Sequence, residues 1–318
     1  MALVVLLVSF VTALLAFSVA IPVLKQRGIV GKDVHKPDQP EVPEMGGMFL
    51  VVGFAVGIAM VIAFNTFLDR LLSVDLSQVL AALSVVLTIA IVGIIDDLLG
   101  MRQIVKAFMP LFASLPLIAI RSGDTAMSIP FAGQVDFGIV YSVILVPLGV
   151  TGAANAANML AGFNGGEAGM GLVAMSSLAA VAYRTNETAA FLILIAAIGA
   201  LLATLYFNWY PARIFIGDAG TLSIGAIIAS VVIIGNFEKA GLIVIIPYLL
   251  DFVIKAKNRF PKSYGVYRQG KLYCPESGPV GLGQLILKIT GGTSERNLTL
   301  LLMGLEAICG GIAVLIFW

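Results

Sequence analysis

Apolar residues run along this chain in long unbroken blocks separated by short polar stretches, unlike the alternation of a half-buried strand or the one-sided stripe of a surface helix. A helix that crosses a bilayer needs about 20 mostly apolar residues, because the hydrocarbon is ~30 Å thick and every backbone polar group must be satisfied within the segment. Ten blocks meet this requirement, at 1–24, 46–68, 79–95, 105–120, 138–155, 168–183, 189–207, 214–235, 240–255 and 297–317. The third and fourth are short for spans, and 138–155 fits a core strand or core helix equally well, so the count carries a margin of one or two. The first block has no basic residue before its apolar run and no convincing small-x-small cleavage site before Lys25, so a retained span is expected in preference to a cleaved signal peptide. Residues 121–137 alternate around a Pro-Phe-Ala-Gly turn and predict a small hairpin.

Composition agrees with the pattern. The chain of 318 residues is 59% hydrophobic and 12% charged, with a mean hydropathy of +1.03, against roughly 25% charged residues in a soluble domain. The predicted fold is an all-α polytopic integral membrane protein, about ten transmembrane helices with a small outer-face hairpin. It forms one transmembrane catalytic domain over 1–318, with a long polar loop at 255–296. Cys274 and Cys309 are the two cysteines, and Cys309 lies inside the last block, so there is no disulfide framework. The net charge of +1 points to no nucleic-acid partner.

Charge adds sidedness. Ten spans sort the loops onto two faces, and fifteen of the nineteen Lys and Arg fall on one of them, from Lys25 in the first loop to Arg296 before the last span. The other face carries Arg70, Arg121, Arg184 and Lys239. The positive-inside rule makes the basic face cytoplasmic and puts both termini outside. The unusual polar clusters all fall on that basic face.

Four clusters there have the composition for chemistry. The third block ends in GIIDDLLGMRQIVK, with Asp96 and Asp97 adjacent at the membrane edge and Lys106 ten residues later. Carboxylates at a bilayer boundary are costly unless they meet a cation or a donor, and magnesium suits them because it takes oxygen ligands and bridges phosphates; the blander reading is a helix end in headgroup water. TGAANAANMLAGFNGGEAGMG follows, with Asn155 and Asn158 on one side of a helix and Asn164 and Glu167 in a glycine-rich turn suited to phosphate. Helix packing by small residues and Asn explains that segment equally well. In NWYPARIFIGDAGTLSIGA, Pro211 suits a helix start and Asp218 then sits one or two turns into the membrane, as a metal ligand or a packing carboxylate. In the loop 255–296, Lys257, Arg259 and Lys262 suit phosphate oxygens or anionic lipid. His35 is the one histidine, expected as a solvated loop residue, so a histidine metal cluster or a serine–histidine triad cannot be assembled. Oxygen ligands, amides, glycine turns and cations remain, the equipment of magnesium-assisted phosphoryl transfer.

Five stretches together resemble the archaeal and eukaryotic UDP-N-acetylglucosamine–dolichyl-phosphate N-acetylglucosamine-1-phosphotransferases, within the polyprenyl-phosphate sugar-1-phosphate transferase superfamily. They are GKDVHKPDQPEVPEMGG at 31–47, DDLLGMR with Lys106 downstream, NAANMLAGFNGGEAG at 155–169, FIGD at 215–218 and SERNLTLLL at 294–302. The resemblance implies an acidic pair at Asp96 and Asp97 and a phosphate-contacting lysine at Lys106. It implies magnesium, with manganese as an alternative, held by Asn158 and Asp218 with Asn155 nearby. It also implies uracil contacts from Phe215 and Asn164, and Glu44 on the nucleoside side. Two departures stand out. The family's Arg-His-Arg-Ile-Pro-Arg run resembles 257–262, with Asn258 for its histidine and Lys262 for its last arginine, and Gly100 stands where eukaryotic members often have Asn.

The implied reaction is attack of a polyprenyl (dolichyl-type) phosphate on the β-phosphorus of UDP-GlcNAc, releasing UMP, at the cytoplasmic face of a cell membrane in an archaeon or of the endoplasmic reticulum in a eukaryote. The resemblance also implies a homodimer. A different UDP-sugar is one alternative. A cation-coupled transporter is another, but its site belongs near the midplane on interrupted helices, whereas these acids gather toward one face. A membrane scaffold would leave the shared sidedness of the four clusters unexplained.

Overall fold

The structure is a computed structural model that describes residues 1–68, 74–129 and 133–318. In chain order the elements are α1 (Ala2–Gln26), β1 (Val30–Lys32), β2 (Glu41–Pro43), α2 (Gly47–Phe67), α3 (Leu76–Leu99), α4 (Gln103–Ala113), α5 (Leu115–Ala119), β3 (Ala126–Ile129) and β4 (Gly133–Asp136). A π-turn at Tyr141–Leu145 leads into α6 (Val146–Met159), and α7 (Gly166–Arg184), α8 (Thr188–Asn208), α9 (Gly217–Ile234), α10 (Glu238–Val244) and α11 (Ile246–Lys257) follow. The chain ends with β5 (Val266–Arg268), β6 (Lys271–Tyr273), α12 (Leu282–Thr290) and α13 (Glu295–Ile316).

This is an all-α multi-pass membrane protein. Among the described residues seven helical stretches are long and apolar enough to cross a bilayer: α1, α2, α3, the π-turn with α6, α8, α9 and α13. The other three predicted spans take different forms, and proline explains two of them. The block 105–120 becomes α4 and α5, broken at Ser114 ahead of Pro116, and 240–255 becomes α10 and α11, broken at Ile245 ahead of Pro247. Proline lacks the N–H that would continue the ladder and crowds the carbonyl four residues back. The block 168–183 is the continuous but less apolar α7.

The predicted outer hairpin is the antiparallel β3–β4 pair. Its turn residues 130–132, and Arg70, lie outside the described residues. Two further antiparallel hairpins, β1–β2 and β5–β6, sit in the first loop and in the 255–296 loop, where the sequence pattern predicts no strand. Gly100 closes α3 with φ +66°, a left-handed cap that glycine and asparagine both adopt readily, so the exchange with the family's Asn preserves the turn.

Helix α9 is the axis of the bundle. Every residue from Ala219 to Ile234 is buried, and α2, α3, α6 and α8 pack around it. Two glycines bring the site-bearing segments against its start. A Cβ on Gly93 of α3 would lie 2.7 Å from the carbonyl carbon of Asp218, and one on Gly47 would run into the backbone of Gly220. The apolar faces of α1 and α13 are exposed, with Leu3, Val19 and Leu315 pointing outward, as lipid-facing surfaces do.

Candidate active site

The start of α9 collects the polar residues. Helix α9 begins at Gly217, whose φ of +70° separates it from the preceding loop, so Asp218 lies in the first turn. That corrects the expectation of a carboxylate one or two turns deep; Pro211 belongs to the preceding turn. Asp97, near the end of α3, accepts from the Asp218 N–H (Oδ1, 2.9 Å) and the Ala219 N–H (Oδ2, 3.3 Å). Both its oxygens therefore cap orphan donors at the positive end of α9.

Asp96 points elsewhere. Its Oδ1 accepts from Met101 N–H at 2.6 Å and its Oδ2 pairs with Lys106 Nζ at 2.7 Å. The same ammonium donates to Asp218 Oδ2. Asn158, with its amide nitrogen turned toward α9, donates to Asp218 Oδ1 (2.8 Å) and Thr221 Oγ1 (2.6 Å), while its oxygen faces Lys106 Nζ at 3.1 Å. Three oxygens from α3, α6 and α9 thus converge on one ammonium that is 6% exposed. Asn155 stands one helical turn away and does not join them: its amide donates to Ala107 O (3.0 Å) and Thr151 O (2.9 Å), fixing α6 to the helix that carries Lys106.

A polar cavity of about 200 Å³ opens from Asp218 and Thr221 and is lined by Glu44, Glu167, Phe215 and Asn164. Backbone pairing sets its wall: Phe215 N–H donates to Pro43 O (2.7 Å), Gly46 N–H to Phe215 O (2.8 Å) and Gly47 N–H to Ile216 O (2.6 Å), zipping the first loop to the FIGD stretch. Glu44 keeps an exposed side chain there, and partial desolvation, reinforced by the charge of Asp97, pushes its carboxyl above the ordinary range. Glu167 holds the glycine turn shut by accepting from Gly162 N–H at 2.6 Å.

Asn164 is wholly engaged within the protein. Its Oδ1 accepts from Ala212 N–H (2.6 Å), and its Nδ2 donates to Glu295 Oε1 (2.8 Å) and Asp33 Oδ2 (3.2 Å). Lys257 at the end of α11, and Arg259 and Lys262 beyond it, are exposed and do not line the cavity.

Sequence reasoning missed a second cluster. His35, expected in a solvated loop, is 2% exposed and stacks on Phe163 at 5.1 Å, because its loop folds under the glycine turn. Its Nε2 accepts from Gly265 N–H (3.1 Å) and its Nδ1 lies 3.4 Å from Glu295 Oε1, so both ring nitrogens are occupied. Lys36 pairs with Glu295 (2.5 Å) and Asp33 (3.1 Å). Burial works against the charge on Lys36, but the bonds and charges of Glu295 and Asp33 outweigh it and hold the ammonium's pKa above its ordinary value. Asp33, His35 and Glu295 lie close enough to hold a metal, yet Lys36 and Asn164 already satisfy them. The signal available in the sequence was the Ser294-Glu295 pair that opens α13, where Ser294 accepts from Asn297 N–H at 3.2 Å.

Fold and site together define a multi-pass membrane protein whose polar residues gather at one end of a helical bundle. The glycosyl transferase family 4 model matches residues 79–236, which hold the acidic pair, Lys106, the Asn turn and Asp218. A Saccharolobus solfataricus protein, provisionally named a UDP-N-acetylglucosamine–dolichyl-phosphate N-acetylglucosaminephosphotransferase, is 39% identical over 98% of this chain and 95% of its own length. The Dictyostelium discoideum protein of that name is 29% identical over 89% and 80%. The phospho-N-acetylmuramoyl-pentapeptide-transferase of Halalkalibacterium halodurans is 30% identical over 73% and 74%. The chain belongs to glycosyl transferase family 4.

Proposed function

We propose that the protein transfers N-acetylglucosamine-1-phosphate from UDP-GlcNAc to a polyprenyl (dolichyl-type) phosphate, releasing UMP and leaving a lipid-linked diphosphate sugar, the first step of lipid-linked oligosaccharide synthesis for N-glycosylation. The observation that carries this reading is the convergence of Asp96, Asn158 and Asp218 on Lys106, at the mouth of a cavity lined by Glu44, Phe215 and Glu167. Relatives named for this reaction over nearly their whole length support it. The bias of basic residues supports a cytoplasmic site.

The three converging groups are all oxygen donors, two of them carboxylates, which fits Mg²⁺ or Mn²⁺ and no softer metal. Asn158 and Asp218 would hold the ion, which when bound offsets the diphosphate charge and stabilises the leaving UMP. Lys106 contacts the phosphates and offsets repulsion between two anions. Asp96, whose Oδ2 would be freed if Lys106 moved to the phosphates, would be the member of the pair that orients the lipid phosphate. Asp97 is a positioning residue, because turning either oxygen to substrate would release the first N–H groups of α9. The lipid phosphate is already largely dianionic at neutral pH, since its second pKa lies near 6, so its oxygen attacks the β-phosphorus without a strong base. The bond to the UMP oxygen breaks as the new P–O bond forms, and UMP leaves with the electron pair.

An apolar cleft of about 300 Å³ between α6, α9, α10 and α11 suits the acceptor's chain. The exposed Lys257, Arg259 and Lys262 suit phosphate oxygens of the substrate or anionic headgroups. A panel of UDP-sugars supplied with polyprenyl phosphate and Mg²⁺ tests the assignment: UMP release is expected with UDP-GlcNAc, abolished by EDTA and reduced at least ~10³-fold in Asp218→Ala. Full activity in that variant would remove the metal assignment. Release with a different sugar alone would move the donor, since the 257–262 run departs from the family's pattern.

A further inference from the structure

We infer that Lys106 is the resident counter-ion of the metal seat, so that a divalent cation enters only together with the nucleotide diphosphate. The inference rests on the metal reading above and adds an order of binding to it. The oxygens of Asp96 (2.7 Å), Asn158 (3.1 Å) and Asp218 meet at one point, and that point is occupied by the Lys106 ammonium. A dication placed on the same oxygens beside the ammonium would set two cations within a few ångströms in a site where solvent screens poorly. The ammonium therefore has to leave before the metal can settle.

Its route is set by its neighbours. The Lys106 backbone is held, because Asn155 ties the adjoining Ala107 carbonyl to α6, so only the four-carbon stem can swing. Away from the three oxygens, the polar cavity opens from Asp218. Its walls carry the carboxyls of Glu44 and Glu167, and the phosphate oxygens of a diphosphate would add an anion beside the departed carboxylates. Lys106 then exchanges two carboxylates for phosphate oxygens, the carboxylates exchange an ammonium for a dication, and each ligand raises the affinity for the other by the same factor.

The test is Mn²⁺ binding to purified protein, read by electron paramagnetic resonance with and without UDP, with Asp218→Ala subtracting Mn²⁺–UDP formed in solution. Wild-type protein should bind Mn²⁺ at least ~10-fold more tightly with UDP than without it. Lys106→Met should bind Mn²⁺ without UDP at least ~10-fold more tightly than wild type and show a correspondingly smaller UDP effect, while Lys106→Arg, which keeps a cation there, should stay near wild type. A thermal shift on adding Mn²⁺ alone is expected for Lys106→Met and not for wild type. Equal Mn²⁺ affinity of wild-type protein with and without UDP overturns the inference whether or not Lys106→Met folds. Loss of Mn²⁺ binding under both conditions overturns the metal reading instead.

Discussion

The carboxylate of Glu44 has two demands on it. It lines the polar cavity, where partial desolvation and the charge of Asp97 favour its protonated form. A carboxyl whose pKa is raised on folding contributes stability that is complete below the unfolded value of about 4.3 and is lost as pH rises through the folded value. Glu44→Gln, which cannot ionise, should therefore match wild type in melting temperature near pH 4 and exceed it at pH 8. Its KM for UDP-GlcNAc should rise several-fold over the same range. A lower melting temperature for the variant at pH 8 would show that the charge is stabilised by a partner rather than tolerated for function. Lys36 is the opposite case, a charge whose buried partners Glu295 and Asp33 hold it in place and join the first loop to the start of α13.

Helix α13 illustrates what an element tolerates. Glu306, three turns along it, is 0% exposed, and among the described residues neither carboxylate oxygen has a hydrogen-bond partner. Burying a polar group unpaired costs about 1–3 kcal/mol by mutational measures. Glu306→Leu should recover ~1–2 kcal/mol and raise the melting temperature without changing UMP release; a lower melting temperature or lost turnover would reveal a partner or a role for the acid. Elements of this kind were legible from hydropathy, since α1, α2, α8 and α13 follow their apolar blocks closely. The broken helices were not, because averaging over a block hides a single proline such as Pro247. Three-residue strands are too short for any periodicity. Within the site, Asp96, Asp97 and Asp218 stood out because they are carboxylates set directly among apolar residues and glycine. The knot of Asp33, His35, Lys36, Asn164 and Glu295 did not, because Asp33 and Glu295 are 262 positions apart in the chain and only the fold brings them together.

At the scale of the whole molecule, α6 joins the two halves of the proposed reaction. Its last turn carries Asn155 and Asn158, and Gly149 and Gly152 lie on the wall of the apolar cleft. At 1.5 Å per residue, Asn158 is ~9 Å along the axis from Gly152, so a phosphate held near Lys106 leaves its chain running toward that cleft. The cleft continues past Leu249 to Met127 and ends where the Tyr141 hydroxyl donates to Glu238 at 2.6 Å. A Cβ at Gly149 or Gly152 would meet no atom within 4 Å, so the space beside both is open, and a larger side chain there occupies the cleft without disturbing the packing. Gly152→Leu also replaces a poor helix former by a good one, worth roughly 0.8–1 kcal/mol. The variant is therefore expected to fold with an unchanged or higher melting temperature and an unchanged KM for UDP-GlcNAc. Its KM for a long-chain polyprenyl phosphate should rise ~10-fold, since excluding a few methylenes from an apolar pocket is worth about 1–3 kcal/mol. An acceptor of two or three isoprene units, too short to reach that part of the cleft, should be used as well as before. An equal effect on both acceptors, or on neither, would mean that the lipid chain leaves the site by another path, along the exposed faces of α4 and α5.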